Sequence, residues 1–230
     1  RFCMDGQRLV PSPPATPSNY WSGNGSYEYR TKFASVQRIV ANGVQGNGPY
    51  TFTAYDKTAM TRSYGPSASV VGSDGKTMLM WPINEIADPL GNYITYSYVS
   101  AGGSSANEYL LKEIDYGNAY GVQVGSVVFN YQVGSRPDDQ YAISATTGSS
   151  TTSLLQSVQV YGPGGQLVRQ YNLGYVTSVR TGRTLLQTLQ ECDPSKNCVA
   201  PTTFTYPRST SGIAIGAGTS DTPGVRSEEH

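Results

Sequence analysis

A unit written three times between Leu110 and Tyr206 limits this chain more than any other feature. Each copy opens on two leucines with an apolar residue at the fifth position: Leu110-Leu111-Lys112-Glu113-Ile114, Leu154-Leu155-Gln156-Ser157-Val158 and Leu185-Leu186-Gln187-Thr188-Leu189. Each closes on an alternating stretch that ends in tyrosine, at Tyr131, Tyr175 and Tyr206, the same distance along the chain each time. Turn chemistry separates the halves: Tyr116-Gly117-Asn118, Gly162-Pro163-Gly164-Gly165 and Asp193-Pro194-Ser195-Lys196-Asn197. A fixed recurrence sets the architecture before any local reading does.

Side chains alternate across a strand, so strict alternation places Leu110 with Ile114, Leu154 with Val158 and Leu185 with Leu189 on one face. A single hairpin buries no such face alone, and hairpins laid side by side do. The expected fold is therefore all-β: antiparallel hairpin repeats forming one curved sheet, with very little helix. Tyr50-Thr51-Phe52-Thr53-Ala54-Tyr55 and Tyr93-Ile94-Thr95-Tyr96-Ser97-Tyr98 read as strands by the same alternation, the second as an earlier, degenerate closing strand. The sequence divides into an extended Pro/Gly-rich strap at 1–26, the sheet domain at 27–208 and a Gly/Ser/Thr-rich tail or linker at 209–230. Residues 134–153 form a polar insertion after the first copy.

The 230 residues carry zero formal net charge, which argues against nucleic acid as the main partner. No apolar run approaches the roughly 20 residues of a membrane helix. The opening Arg1-Phe2-Cys3-Met4-Asp5 is unlike a signal peptide, and the chain reads as a piece of something longer or a processed product. Cys192 and Cys198 bracket a turn; a local bridge and two ordinary thiols both fit that spacing, and Cys3 is left over.

Candidate chemistry is sparse. The single histidine, His230, stands at the end of the sequence, which leaves no Ser-His-Asp or Cys-His set. Gly75-Lys76-Thr77 mimics the end of a phosphate loop, but Val70 stands where the glycine belongs, so it reads as a turn. Asp138-Asp139 reads as a solvated loop rather than a catalytic pair or cation site. Asp115 and Asp193 fall at turns, where Asp bonds its own backbone. Asn24-Gly25-Ser26 fits a glycosylation acceptor. No cofactor or metal is implied. The 18 tyrosines fit a half-buried sheet with one wet face, and Tyr93, Tyr96 and Tyr98 also fit a platform for glycans.

The run from Trp81 to Tyr98, with Asp88-Pro89-Leu90-Gly91-Asn92 and Tyr96-Ser97-Tyr98, followed by Leu110-Leu111-Lys112-Glu113-Ile114-Asp115-Tyr116, resembles the YD-repeat pattern. The surrounding order, with Tyr29-Arg30-Thr31, Gly48-Pro49-Tyr50-Thr51-Phe52, Ser63-Tyr64-Gly65, Glu191-Cys192-Asp193 with Cys198, and Pro201-Thr202-Thr203-Phe204, is similar to Rhs proteins, to the B components of insecticidal Tc toxins and to SpvB-like virulence proteins. The resemblance covers roughly Tyr27 to Tyr206. It implies a β-strip wound into a hollow shell around a toxic C-terminal cargo, with this chain a non-enzymatic part of the wall. It further implies a secreted or cell-surface bacterial protein whose partners are the rest of the shell and the enclosed toxin domain. Asp88-Pro89-Leu90-Gly91 resembles the aspartate motif of the shell's self-cleavage core, yet lies in a repeat turn. The rival reading is a glycan-binding or adhesion module that uses exposed tyrosines.

Overall fold

The computed structural model describes residues 2–12, 21, 23, 25–33, 37–65, 70–71, 75–101, 108–134, 136–144 and 147–206. The expected tail at 209–230, His230 and Asn24 lie outside the described residues.

Fourteen strands form one antiparallel sheet in which order in space follows order along the chain. The first six are β1 (Cys3–Met4), β2 (Gln7–Pro11), β3 (Ser26–Thr31), β4 (Arg38–Asn42), β5 (Thr51–Tyr55) and β6 (Thr61–Tyr64). The short hairpin of β7 (Val70–Val71) and β8 (Met78–Met80) stands aside from the sheet. The sheet resumes with β9 (Ile83–Ala87), β10 (Tyr93–Ala101), β11 (Glu108–Gly117) and β12 (Gln123–Gln132). A second separate hairpin, β13 (Gln140–Ser144) and β14 (Thr147–Thr151), occupies the polar insertion. The main sheet ends with β15 (Leu154–Tyr161), β16 (Leu167–Thr177), β17 (Thr184–Cys192) and β18 (Thr202–Thr203). No helix occurs among the described residues.

Residues 2–12, within the expected strap, do more than run over a surface. Cys3–Met4 pairs with Gln7–Pro11, and Pro11, Val10 and Leu9 pair with Tyr29, Arg30 and Thr31. Their short length hides the alternation that would have marked them as strands. Residues 83–87 are a full strand between β6 and β10.

The densest packing sits on one face of the N-terminal half. Leu9, Tyr29, Ile39, Ala41, Phe52 and Ala54 are buried together there. Phe2 and Trp81 close over them, with ring centres 5.2 and 5.1 Å from Phe52 in edge-to-face contact, the arrangement that ring quadrupoles favour. The indole nitrogen of Trp81 is satisfied by donating to the carbonyl of Pro49 at 2.8 Å.

The pairing Ala54↔Arg62↔Ile86↔Ile94 carries that same face into the C-terminal half. There it bears Tyr96, Ile114, Val127, Phe129, Val158, Tyr171, Leu173 and Leu189, which stand opposite one another strand by strand. The reverse face carries Asn130, Ser157, Gln159, Gln170, Asn172 and Cys192. Their amides form a chain of contacts. Asn130 Nδ2 donates to Gln159 Oε1 at 3.1 Å, Gln159 Nε2 to Gln170 Oε1 at 3.0 Å, and Gln170 Nε2 to Asn172 Oδ1 at 2.6 Å. Between the turns and the far strand ends, the C-terminal half of the sheet is thus two-sided: one face mostly apolar, with Arg169 and Glu191 paired on it at 3.1 Å, the other amide-rich and internally bonded.

Candidate functional site

The strands of each copy are closed by the same turn. In Asp56–Met60, Asp88–Asn92, Asn118–Val122, Gly162–Gln166 and Asp193–Asn197 the first residue's amide donates to the fifth residue's carbonyl, at 3.2, 2.9, 3.1, 3.0 and 2.9 Å in order. The fourth residue has positive φ in every case: Ala59, Gly91, Gly121, Gly165 and Lys196. This is the three-residue hairpin loop in which a left-handed residue returns the chain to the ladder. In three of the turns a leading carboxylate also accepts backbone amides. Asp88 Oδ1 takes those of Leu90 and Asn92, both at 2.9 Å, and Asp193 Oδ1 takes that of Asn197 at 2.8 Å. Asn118 Oδ1 does the same at 3.0 and 3.1 Å with the amides of Tyr120 and Val122. Hydrogen bonding to the charged form holds the carboxyls of Asp56, Asp88 and Asp193 below their ordinary value; the leading contributors are the side chains of Thr58, Asn92 and Asn197.

At the other end of each hairpin lies a bulge. Ser97 pairs with Glu113 but Tyr98 with Leu111, so Lys112 is an extra residue. Asn130 pairs with Ser157 and Tyr131 with Leu155, leaving Gln156 extra. Gly174 pairs with Thr188 and Tyr175 with Leu186, leaving Gln187 extra. Ser63↔Glu85 and Tyr64↔Ile83 repeat the shift one unit earlier, at Asn84. Lys112, Gln156 and Gln187 are each exposed.

One extra residue reverses the faces of everything beyond it. The second leucine of each copy therefore shares the apolar face with the fifth residue: Leu111 with Ile114, Leu155 with Val158 and Leu186 with Leu189. The first leucines, Leu110, Leu154 and Leu185, lie on the opposite face, paired with Val99, Gln132 and Val176. The expectation that first and fifth residues share a face is corrected on this point.

Beyond the bulge the two strands of one copy part, and the closing tyrosine bridges the gap. Tyr131 donates its hydroxyl to the carbonyl of Leu111 at 3.0 Å, Tyr175 to that of Leu155 at 2.7 Å, and Tyr206 to that of Leu186 at 2.7 Å. Tyr98 does the same to Ile83 at 2.8 Å, which makes β9 and β10 a fourth copy. The result is a continuous stitch across the sheet, Ile83–Tyr98–Leu111–Tyr131–Leu155–Tyr175–Leu186–Tyr206, with backbone pairing and phenol bonds alternating. Burial pushes the phenols of Tyr98, Tyr131 and Tyr175 upward first, with Tyr96 adding to the shift at Tyr98 and Glu108 at Tyr131.

The insertion is tied down at both ends. Glu108, buried at 5% exposure, accepts from the amides and hydroxyls of Thr152 and Ser153 between 2.9 and 3.1 Å. Asp138 pairs with Arg136 Nε at 3.2 Å and also accepts from the Thr184 hydroxyl. Glu108 carries no sequence motif, and its only signal is an acid at the start of an apolar strand.

The remaining candidates take structural positions. Asp138 is held in the anchor just described, whereas Asp139 is exposed. Gly75 has φ +65°, and the carbonyl of Lys76 accepts from the amide of Asn47 at 2.9 Å, which places Gly75-Lys76-Thr77 in a docked turn. Tyr93 lies against Gly117, and Tyr96 is half-buried on the apolar face. The Tyr98 hydroxyl is spent on Ile83. Cys192 and Cys198 form a disulfide with Cα atoms 4.0 Å apart, and Cys3 is an exposed thiol. Among the described residues no three His, Cys, Asp or Glu side chains gather as metal ligands. Among the described residues no helix is long and apolar enough to cross a membrane. Clefts lie among the described residues. One of about 990 Å³ lies over the N-terminal core between Phe2, Trp21, Met78 and Trp81, and one of about 370 Å³ lies beside the disulfide.

This fold is shared with solved structures of SpvB and of Tc toxin chains. The chain is similar to the N-terminal domain of the effector protein SpvB from Salmonella typhimurium, with a TM-score of 0.67 at 16% identity over 82% of this chain and 79% of that one. It is also similar to TcdB2-TccC3 in complex with Cdc42 (TM-score 0.65, 15% identity, 87% of this chain) and to the Photorhabdus luminescens Tc holotoxin pore (TM-score 0.62, 14% identity, 79% of this chain). It spans only 13% and 11% of those two chains. No family model matches the sequence, and no curated protein matches it.

Proposed function

We propose that this chain is a non-enzymatic wall segment of a secreted bacterial toxin or virulence protein of the Rhs/Tc-B type, part of a β-shell that encloses a toxic C-terminal cargo. The observation that carries this reading is the stitch from Ile83 to Tyr206. It joins copy to copy by one rule, so the sheet grows by adding units without changing geometry. A two-sided sheet built this way suits a container: the amide face bonds within itself, and the apolar face is available to line an interior. Its partners are the rest of the shell and the enclosed domain. The Tyr98 hydroxyl is committed to the sheet, which weighs against a glycan platform built on Tyr93, Tyr96 and Tyr98.

The test is limited proteolysis of the protein expressed with the polypeptide encoded downstream of it. A C-terminal domain that resists protease in the intact protein, and is cut once Tyr131→Phe and Tyr175→Phe are introduced, supports the reading. A domain cut equally fast in both overturns it. A glycan array with saturable hits abolished by Tyr93→Ala or Tyr96→Ala assigns the protein to adhesion instead.

A further inference from the structure

The Cys192–Cys198 disulfide closes a turn that does not require it. Asp56–Met60, Asp88–Asn92, Asn118–Val122 and Gly162–Gln166 adopt the same loop with no covalent tie. Asp193 already holds its turn through the Asn197 amide at 2.8 Å and the Asn197 side chain at 2.9 Å. What lies beyond Cys198 is less secure. The stretch from Val199 to Tyr206 is the last edge described in the sheet, and β18 contributes only Thr202 and Thr203 to it. Besides that short pairing with Thr188 and Leu189 it is held by the Val199 amide to Glu191 at 3.0 Å, Gln190 Nε2 to the Val199 carbonyl at 3.0 Å, the Phe204 amide to Gln187 at 2.8 Å and the Tyr206 hydroxyl to Leu186.

The two sulfurs are unlike. Cys192 is buried at 5% exposure, and its Sγ accepts from Asn172 Nδ2 at 3.3 Å. Cys198 is exposed, and the cleft of about 370 Å³ beside it is lined by Val168, Arg169, Glu191, Val199 and both cysteines, of which Cys198 is the more open. That volume suits a small molecule. Attack on a disulfide needs an open sulfur, and it runs faster when the departing thiolate is stabilised. Cys198 supplies the first condition, and Asn172 supplies the second at Cys192.

We propose that this disulfide is a thiol-addressable staple of the sheet edge, cut by a small-molecule thiol that attacks Cys198. The incoming thiolate forms a mixed disulfide with Cys198 Sγ and expels the Cys192 thiolate, which retains the Asn172 donor. A second thiolate then attacks the sulfur of the bound small molecule and frees Cys198. Two small thiols become one small disulfide, and their protons end on the two cysteines. The edge beyond Cys198 loses its covalent tie while the Asp193 turn stays closed. The staple works whether or not the strip encloses a cargo.

Glutathione is the probe, used on the full chain carrying Cys3→Ser so that the exposed third thiol is silent. Acid quench and mass spectrometry are expected to find the mixed disulfide on Cys198. After full reduction, hydrogen exchange at the Val199 and Phe204 amides is expected to rise by about tenfold or more, while Asn197 and the β15–β16 ladder keep their protection. The Cys192→Ser/Cys198→Ser variant is expected to show the same pattern without any reductant. An adduct on Cys192, unchanged exchange at Val199 and Phe204, or loss of protection throughout β15–β17 overturns the proposal.

Discussion

The phenol oxygen of Tyr131 lies 3.0 Å from the carbonyl oxygen of Leu111, in a strand pair whose regular ladder stops at Glu113↔Val128. The hydroxyl therefore satisfies a carbonyl that the parting strands leave behind. Tyr131 also pairs across its other edge with Leu155. Tyr131→Phe keeps the ring and that pairing and removes only the donor. A net loss of about 0.5–1.5 kcal/mol is expected, read as a lower urea midpoint at constant slope.

Gly117 has no room for a side chain, because a Cβ there would run into the ring of Tyr93. The backbone is not left-handed at this position, so the constraint is contact rather than conformation. Gly117→Ala is expected to cost about 1–3 kcal/mol. Adding Tyr93→Ala should recover part of that cost if the ring is the obstacle. Thermal melts of the two variants against wild type check it.

Glu108 accepts four bonds from Thr152 and Ser153. Removing it strands two amides and two hydroxyls close to the entry of β15. Glu108→Ala is expected to destabilise by about 2–4 kcal/mol, and to raise hydrogen exchange at the Thr152 and Ser153 amides before the rest of the sheet.

Stability should fall at both extremes of pH. The carboxyls of Asp56, Asp88 and Asp193 sit below their ordinary value of 3.8 in the fold. Their contribution is complete above that value and is lost as the pH falls through the lower folded values. The phenols of Tyr98, Tyr131 and Tyr175 sit above their ordinary value of 10.0. Their contribution is complete below that value and is lost as the pH rises through the higher folded values, where a phenolate no longer donates. Asp88→Asn is expected to flatten part of the acid limb while the turn survives, because Asn118 already fills the same position with an amide. Urea midpoints measured across pH check both limbs.

The hairpin architecture was legible because Leu-Leu pairs, closing tyrosines and turn residues recur in one order. The turns at Asp88, Asn118, Gly162 and Asp193 follow directly from residue types that favour local backbone bonds or positive φ. The facing of Leu110, Leu154 and Leu185 was not legible. A bulge at Lys112, Gln156 or Gln187 inserts one residue without any mark in composition, and strict alternation then assigns the wrong face. The amide chain was in principle visible, since Ser157 and Gln159, and Gln170 and Asn172, alternate with apolar residues; only the cross-strand register shows that they meet. Spacing left the pairing of Cys192 with Cys198 open, because a turn of that length suits bonded and unbonded cysteines alike.

The most direct test of the account is a crystal structure sharp enough to place phenol oxygens. The hydroxyls of Tyr98, Tyr131, Tyr175 and Tyr206 are expected within hydrogen-bond reach of the carbonyls of Ile83, Leu111, Leu155 and Leu186, with a one-residue bulge beside each carbonyl. Phenols turned to solvent over strands that pair without bulges would contradict it.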